Sequence, residues 1–408
     1  MKRFLALMTT LLITGTTASA RSTIEWWQFW TDPGIKPTVD SLVTAFEQAN
    51  PDIDVTVTDL TWANGQEKIV IALASGTGPD VLELGSDWIA QFADNGHLSD
   101  LTAELAPDSA QFSGWGMSTY GGKLYAKPWI LGTRVLFANR DLLNKAGYPP
   151  DFVPATLVQF RDAAIKIGTA LGKDVYGWGS NTAEKHRLYK KYLPFFWSWG
   201  AQLFTDDDKY CVISSENGIN SLTFYKMIHD SIGFVADQRG VEDAFLDGKV
   251  GFVLSGDWLV KRIELEKRKF NLAAFLMPGW DFPGRSFLGG EFLAINEQSG
   301  NKAAAVKFIN FITSPEAQMA FCKANRSANP SSKAAQNDPY FESDPILNVF
   351  IKQMRNSIHP PVDPNWPAYE NAIEAAVEDV LFGRGLPATA LRDANRKIME
   401  ARSRNAKP

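Results

Sequence analysis

Cysteine and histidine are scarce in this 408-residue chain, and familiar catalytic signatures are missing. Two cysteines, Cys211 and Cys322, are too few for a small disulfide-built domain. A disulfide and a pair of buried thiols both remain open readings, because spacing does not fix geometry. The four histidines stand apart at 97, 186, 229 and 359, which argues against a histidine-based metal site. Asp206-Asp207-Asp208 resembles the start of a calcium loop. Cys211 and Asn217 occupy the positions where such a loop needs Gly and Glu, so a solvated turn is expected. There is no G-x-S-x-G elbow, no H-E-x-x-H helix and no P-loop. Beyond the first twenty residues no apolar run approaches the ~20 residues of a membrane span. The net charge of −5 shows no basic excess and argues against nucleic acid or anionic membrane as a partner.

Tryptophan is plentiful, with 13 in the chain. Trp26, Trp27 and Trp30 fall within five residues and run into an Asp32-Pro33-Gly34 turn. The residues before them read as an export signal at 1–20. Lys2 and Arg3 are basic, 4–13 is apolar, and Ala18-Ser19-Ala20 is a small-residue cleavage site. Cleavage there leaves Arg21 at the start and a net charge of −7. No cysteine follows the site, which argues against a lipid anchor. The expected product is an exported, periplasmic protein.

Strand and helix patterns alternate. Val39, Leu42, Val43 and Phe46 form a helical stripe stopped by Asn50-Pro51. Ile53, Val55 and Val57 alternate as in a strand. Ile69, Val70 and Leu73 suggest a helix closed by Gly76, and a short apolar strand follows at 81–84. Thr156 and Gln159 are spaced as a capping box before a helix that ends near Gly172. Residues 250–254 read as a strand. Ala305, Phe308, Ile309 and Ile312 make another stripe, and Ser314-Pro315 caps the next helix. Such alternation predicts α/β sheets covered by helices.

The order and spacing of several segments resemble family 1 solute-binding proteins of bacterial ABC transporters, the maltose, oligosaccharide and glycerol-phosphate group. These segments are Ala72-Leu73-Ala74-Ser75-Gly76-Thr77-Gly78-Pro79-Asp80-Val81, Tyr125-Ala126-Lys127-Pro128-Trp129 and Val135-Leu136-Phe137-Ala138-Asn139-Arg140-Asp141. Gly248-Lys249-Val250-Gly251-Phe252, Ser255-Gly256-Asp257-Trp258, Leu288-Gly289-Gly290 and Ile312-Thr313-Ser314-Pro315-Glu316 follow. The resemblance spans about 24–398. It implies the type II periplasmic binding protein fold, two α/β lobes joined by a multi-strand hinge, with ligand in the cleft. The expected crossings lie near 127–131, 288–290 and 326–330. One lobe is then 21–128 plus 291–326 and the other 131–288 plus 330–408.

Indole faces stack on the C–H faces of sugars. Together with the family's cleft positions this nominates Trp27, Trp30, Trp62, Trp88, Trp129, Trp258 and Trp280, with Trp62 foremost. Asp87, Asp257, Glu291 and Arg326 are the polar partners, and Gly290 allows close backbone approach. Trp115, Trp197, Trp199 and Trp366 are expected to be structural. The implied function is a periplasmic substrate-binding protein for a sugar or oligosaccharide, without cofactor or metal and without catalysis. It is expected to be monomeric and to deliver its ligand to a membrane permease. A glycerol-phosphate ligand held by Arg134, Arg285 or Arg326 is the near alternative. A secreted glycan-active enzyme is the distant one.

Overall fold

Strand Ser22–Gln28 sits inside a seven-stranded mixed sheet, parallel to Ile53–Asp59 on one side and to Val81–Gly85 on the other. The structure is a computed structural model describing residues 21–404, apart from 182, 183, 185, 268, 270, 282, 327 and 328. The expected signal peptide at 1–20 lies outside the described residues. Beyond Val81–Gly85 the sheet continues antiparallel through Ser286–Ile295 and Ala126–Thr133 to Asn329–Pro330. Ser357–Ile358 pairs with the start of Ser286–Ile295. A second sheet of five strands has the order Leu272–Phe275, Val135–Asn139, Val250–Ser255, Tyr176–Asn181, Gly233–Ala236. Each sheet is the centre of one lobe.

Both sheets are covered on both faces, as the alternating pattern predicts. Successive strand side chains point to opposite faces. Thus Leu136 and Ala138 enter a core with Phe160, Trp178 and Phe195, while Val135 and Phe137 join Val253, Phe245 and Leu259. In the first lobe, Trp26 packs edge-on against Trp129 and Phe308, with ring centroids 5.7 and 5.1 Å apart. Phe29, Leu82, Leu84 and Phe292 fill the other face. Local signals explain the helices. Val39, Leu42, Val43 and Phe46 are the buried stripe of Lys36–Ala49. The Thr156 side chain accepts from the Gln159 amide at 3.1 Å, starting Leu157–Ala170. Ser314 caps Pro315–Asn325 in the same way. Gly76 ends Gly65–Ser75 at φ 73°, a conformation glycine adopts freely.

The chain passes between the lobes at three places, and two lie elsewhere than expected. Ala126–Thr133 stays paired in the first sheet up to Thr133, so the first pass is at Arg134 and not at 127–131. Ser286–Ile295 makes the second pass, with Phe287 already in the second lobe's core. Asn329–Pro330 lies in the first sheet beside Ile130 and Leu131, between a helix and later residues that both pack in the first lobe, so the expected crossing at 326–330 is not one. The chain beyond Pro330 does not go straight into the second lobe. Phe341, Leu347 and Ile351 pack with Ile24 and Trp26 in the first lobe. Phe350 reaches the second lobe's core beside Phe137, the third pass comes at Ser357–Ile358, and helices Trp366–Leu381 and Pro387–Arg404 complete the second lobe. Cys211 and Cys322 are both free and buried in different cores, which rules out the disulfide. Asp206-Asp207-Asp208 forms a turn in which Asp208 pairs with Arg402 at 2.6 Å. Among the described residues no helix is long and apolar enough to cross a membrane.

Candidate functional site

A cavity of about 660 Å³ lies between the two sheets and takes its walls from both lobes. That volume falls in the range of pockets for small molecules. The first lobe contributes the loops after its strands. Trp30 follows Ser22–Gln28, Trp62 follows Ile53–Asp59, and Asp87 and Trp88 follow Val81–Gly85. Three consecutive strands of one sheet thus place an indole at the same edge. Trp62 is 46% exposed and stacks on Phe29, centroids 4.2 Å apart and planes 21° apart. Trp88 meets Phe29 edge-on at 6.0 Å and Trp62 at 5.6 Å. Phe29 therefore fixes both rings from below.

The second lobe contributes charge and one indole. Trp258 lines the cavity, and its Nε1–H donates to Glu242 at 2.8 Å. Gly256 is required here. A Cβ at that position would fall 1.9 Å from the Trp258 ring, which folds back over it. Arg134, His186, Arg187 and Lys190 line the same side. The Lys190 ammonium is 3.6 Å from Asp87, which also accepts from the Tyr189 hydroxyl at 2.8 Å. Burial works against the Asp87 charge, but these partners hold its carboxyl below the usual value. His186 lies 2.5 Å from Glu370, and that contact raises its pKa.

The floor is built by the passes between lobes. The carbonyl of Gly290 accepts from the Ser86 amide at 2.9 Å. A Cβ on Gly290 would sit 2.3 Å from the Ile130 carbonyl oxygen, so nothing larger fits this backbone approach. Asp257 accepts from Asn329 Nδ2 at 2.7 Å, which ties the second lobe to the edge strand of the first sheet. Burial pushes its carboxyl up to about 7, against the pull of Arg134. Glu291 is also pushed up to about 7, by burial and by the nearby Asp257.

Eight of the twelve nominated residues therefore meet at one cavity: Trp30, Trp62, Asp87, Trp88, Asp257, Trp258, Gly290 and Glu291.

The other four nominated residues lie elsewhere, each for a physical reason. Trp27 points to the opposite sheet face from Trp26, is half-buried, and donates its indole N–H to Glu25 at 2.7 Å. Trp129 is fully buried among Trp26, Trp30 and Phe321 and belongs to the core. Trp280 is 40% exposed and stacks on Trp199 at 4.1 Å, away from the cavity. Arg326 ends helix Pro315–Asn325 at φ 49° and pairs with Glu264 and Asp344. Of the alternative clamps, Arg134 lines the cavity while Arg285 does not. Sequence reasoning missed His186, Lys190 and Phe287. The adjacent Lys190 and Lys191 in an aromatic helix were the available signal. Lys191 turns inward to the Leu254 carbonyl at 2.6 Å, whereas Lys190 faces the cavity.

Comparisons with known proteins place the chain in one family. The model of the bacterial extracellular solute-binding protein family matches residues 32–319. The diacetylchitobiose binding protein DasA of Streptomyces coelicolor is 26% identical over 329 residues, covering 76% of this chain and 73% of that one. The sn-glycerol-3-phosphate-binding periplasmic protein UgpB of Shigella dysenteriae is 23% identical, covering 92% and 91%. A solute-binding protein from Thermotoga lettingae, solved with α-D-tagatose, superimposes with a TM-score of 0.84 at 25% identity, covering 93% of this chain and 99% of that one.

Proposed function

The chain belongs to the bacterial extracellular solute-binding proteins, and from that footing we propose that it is the periplasmic receptor of an ABC importer for a carbohydrate. The observation that supports this most is the placement of Trp30, Trp62, Trp88 and Trp258 around one cavity with Asp87, Asp257 and Glu291. Indole faces suit sugar rings, and carboxyl groups bond hydroxyls in pairs. In this reading the cavity is the ligand cleft, and the three passes between lobes are its hinge. A ligand touching both lobes favours the closed state by its extra contacts there. The closed form is what a membrane permease would receive.

A thermal-shift screen of mono-, di- and oligosaccharides tests the reading, because a ligand bound only by the folded state raises apparent stability. A rise with at least one saccharide, and recovery of that saccharide unchanged, is the expected result. Turnover would point to a glycan-active enzyme instead. A glycerol-phosphate ligand is a second reading, favoured by Arg134 and Lys190 on the cavity wall. Tight binding of glycerol 3-phosphate with no saccharide bound would select it.

A further inference from the structure

Arg134 is a half-buried cation with few bonds. It stands where the chain leaves the first sheet for the second, and it lines the cavity. Its guanidinium carbon is 4.6 Å from the Trp258 ring centroid and 5.3 Å from that of Phe287. Among the described residues its one hydrogen bond runs from Nη1 to the Thr133 carbonyl at 3.1 Å. Its Nε–H has no acceptor there. A buried charged donor without a partner is costly, so a ligand that supplies one gains affinity.

A second cation stands close by. Lys190 Nζ is 5.4 Å from the centroid of the same Phe287 ring. Arg134 and Lys190 therefore both lie against one aromatic ring on the cavity wall, with Asp87 3.6 Å from the Lys190 ammonium. We propose that the bound saccharide carries a carboxylate, as a uronic acid does, and that this group docks between Arg134 and Lys190. The inference rests on the carbohydrate reading and narrows it. A guanidinium matches a carboxylate with two parallel N–H···O bonds. A phosphate monoester brings a charge of about −1.5 to −2. Asp87, Asp257 and Glu291 line the same cavity, so a single negative charge suits it better than two.

Calorimetry on the full mature chain tests this with glucuronate, galacturonate and their short oligomers, the matching neutral sugars, and glycerol 3-phosphate. At least one uronate is expected to bind tenfold or more tighter than its neutral counterpart. Arg134→Gln should remove that preference, and Arg134→Lys should restore part of it. Melting curves verify folding. If Arg134→Gln does not fold, Lys190→Gln is read instead, with a severalfold loss for the uronate and none for a neutral sugar. Neutral sugars binding as tightly as uronates would overturn the carboxylate inference and leave the carbohydrate reading standing. Glycerol 3-phosphate binding more tightly than every uronate would overturn it too. Binding of no saccharide would overturn both.

Discussion

The two walls of the cavity differ in kind. The first lobe presents indoles, with Trp30, Trp62 and Trp88 at the ends of three neighbouring strands. The second presents charge, with Arg134, His186, Arg187 and Lys190 around a single indole, Trp258. The aromatic wall is fixed by packing, since Phe29 supports Trp62 and Trp88 at once. The charged wall is fixed by hydrogen bonds and ion pairs, through Glu242 on Trp258, Asp87 on Lys190 and Glu370 on His186. Packed aromatic faces tolerate many sugars, whereas placed charges choose among them. Affinity is thus expected to follow the first wall and selectivity the second.

The largest expected effect separates the aromatic wall from the core behind it. Trp129→Ala should cost about 3–5 kcal/mol of stability, the usual penalty for emptying a large buried aromatic site. Trp129 is fully buried, so chemical denaturation should register the change directly. A loss below 1 kcal/mol would mean the core is not continuous behind the wall. Trp62→Ala should do the reverse. It should weaken saccharide binding by about 1–3 kcal/mol and leave unliganded stability nearly unchanged. Unchanged affinity by calorimetry would remove Trp62 from the binding wall.

That contrast also shows what the sequence reveals. Both tryptophans sit beside apolar strand patterns, and periodicity alone does not say which one ends at a cavity. Trp62 was legible because it follows a strand's carboxyl end, where ligands gather in open sheets. Trp129 lies inside Ala126–Thr133, which remains in the first sheet two residues past the expected crossing. Helix stripes and caps were legible because they depend on neighbours in sequence, as at Val39 to Phe46 and at Thr156. The return of Phe341, Leu347 and Ile351 to the first lobe was not, because it depends on a partner surface 300 residues away in the chain. Lys190 was hidden for the same reason, since only tertiary packing distinguishes it from Lys191.

The charged wall should respond to pH where the aromatic wall does not. Asp257 and Glu291 both have carboxyls pushed up to about 7 by burial. Arg134 opposes the shift at both, Lys190 also opposes it at Glu291, and Asn329 bonds Asp257. On the adjacent strand the carboxyl of buried Glu83 is raised as well, by burial and by Glu291. Between about pH 4 and 7 the folded state keeps protons that the unfolded state has lost. The contribution of these two groups to stability therefore falls as pH rises through that window, and it is flat above 7. Asp257→Asn with Glu291→Gln should flatten the melting temperature of the unliganded protein across it. An unchanged slope would show that other groups set the pH response.

The smallest effect is expected at Arg326, the charge that sequence reasoning placed in the cleft. Its guanidinium pairs with Glu264 and Asp344 outside the cavity, and all three side chains are partly exposed. Such pairs contribute about 0–1 kcal/mol. Arg326→Ala should leave saccharide affinity within twofold and lower stability only slightly. Arg326→Gly loses the same ion pairs but removes a side chain from a backbone at φ 49°. Glycine adopts that conformation without the steric cost that alanine retains. Gly at 326 should therefore be as stable as Ala or more so, by up to about 1 kcal/mol. Denaturation of the two variants side by side measures the difference. If either variant lost ligand affinity while Arg134→Gln did not, the division between an aromatic first wall and a charged second wall would have to be redrawn around strand Asn329–Pro330.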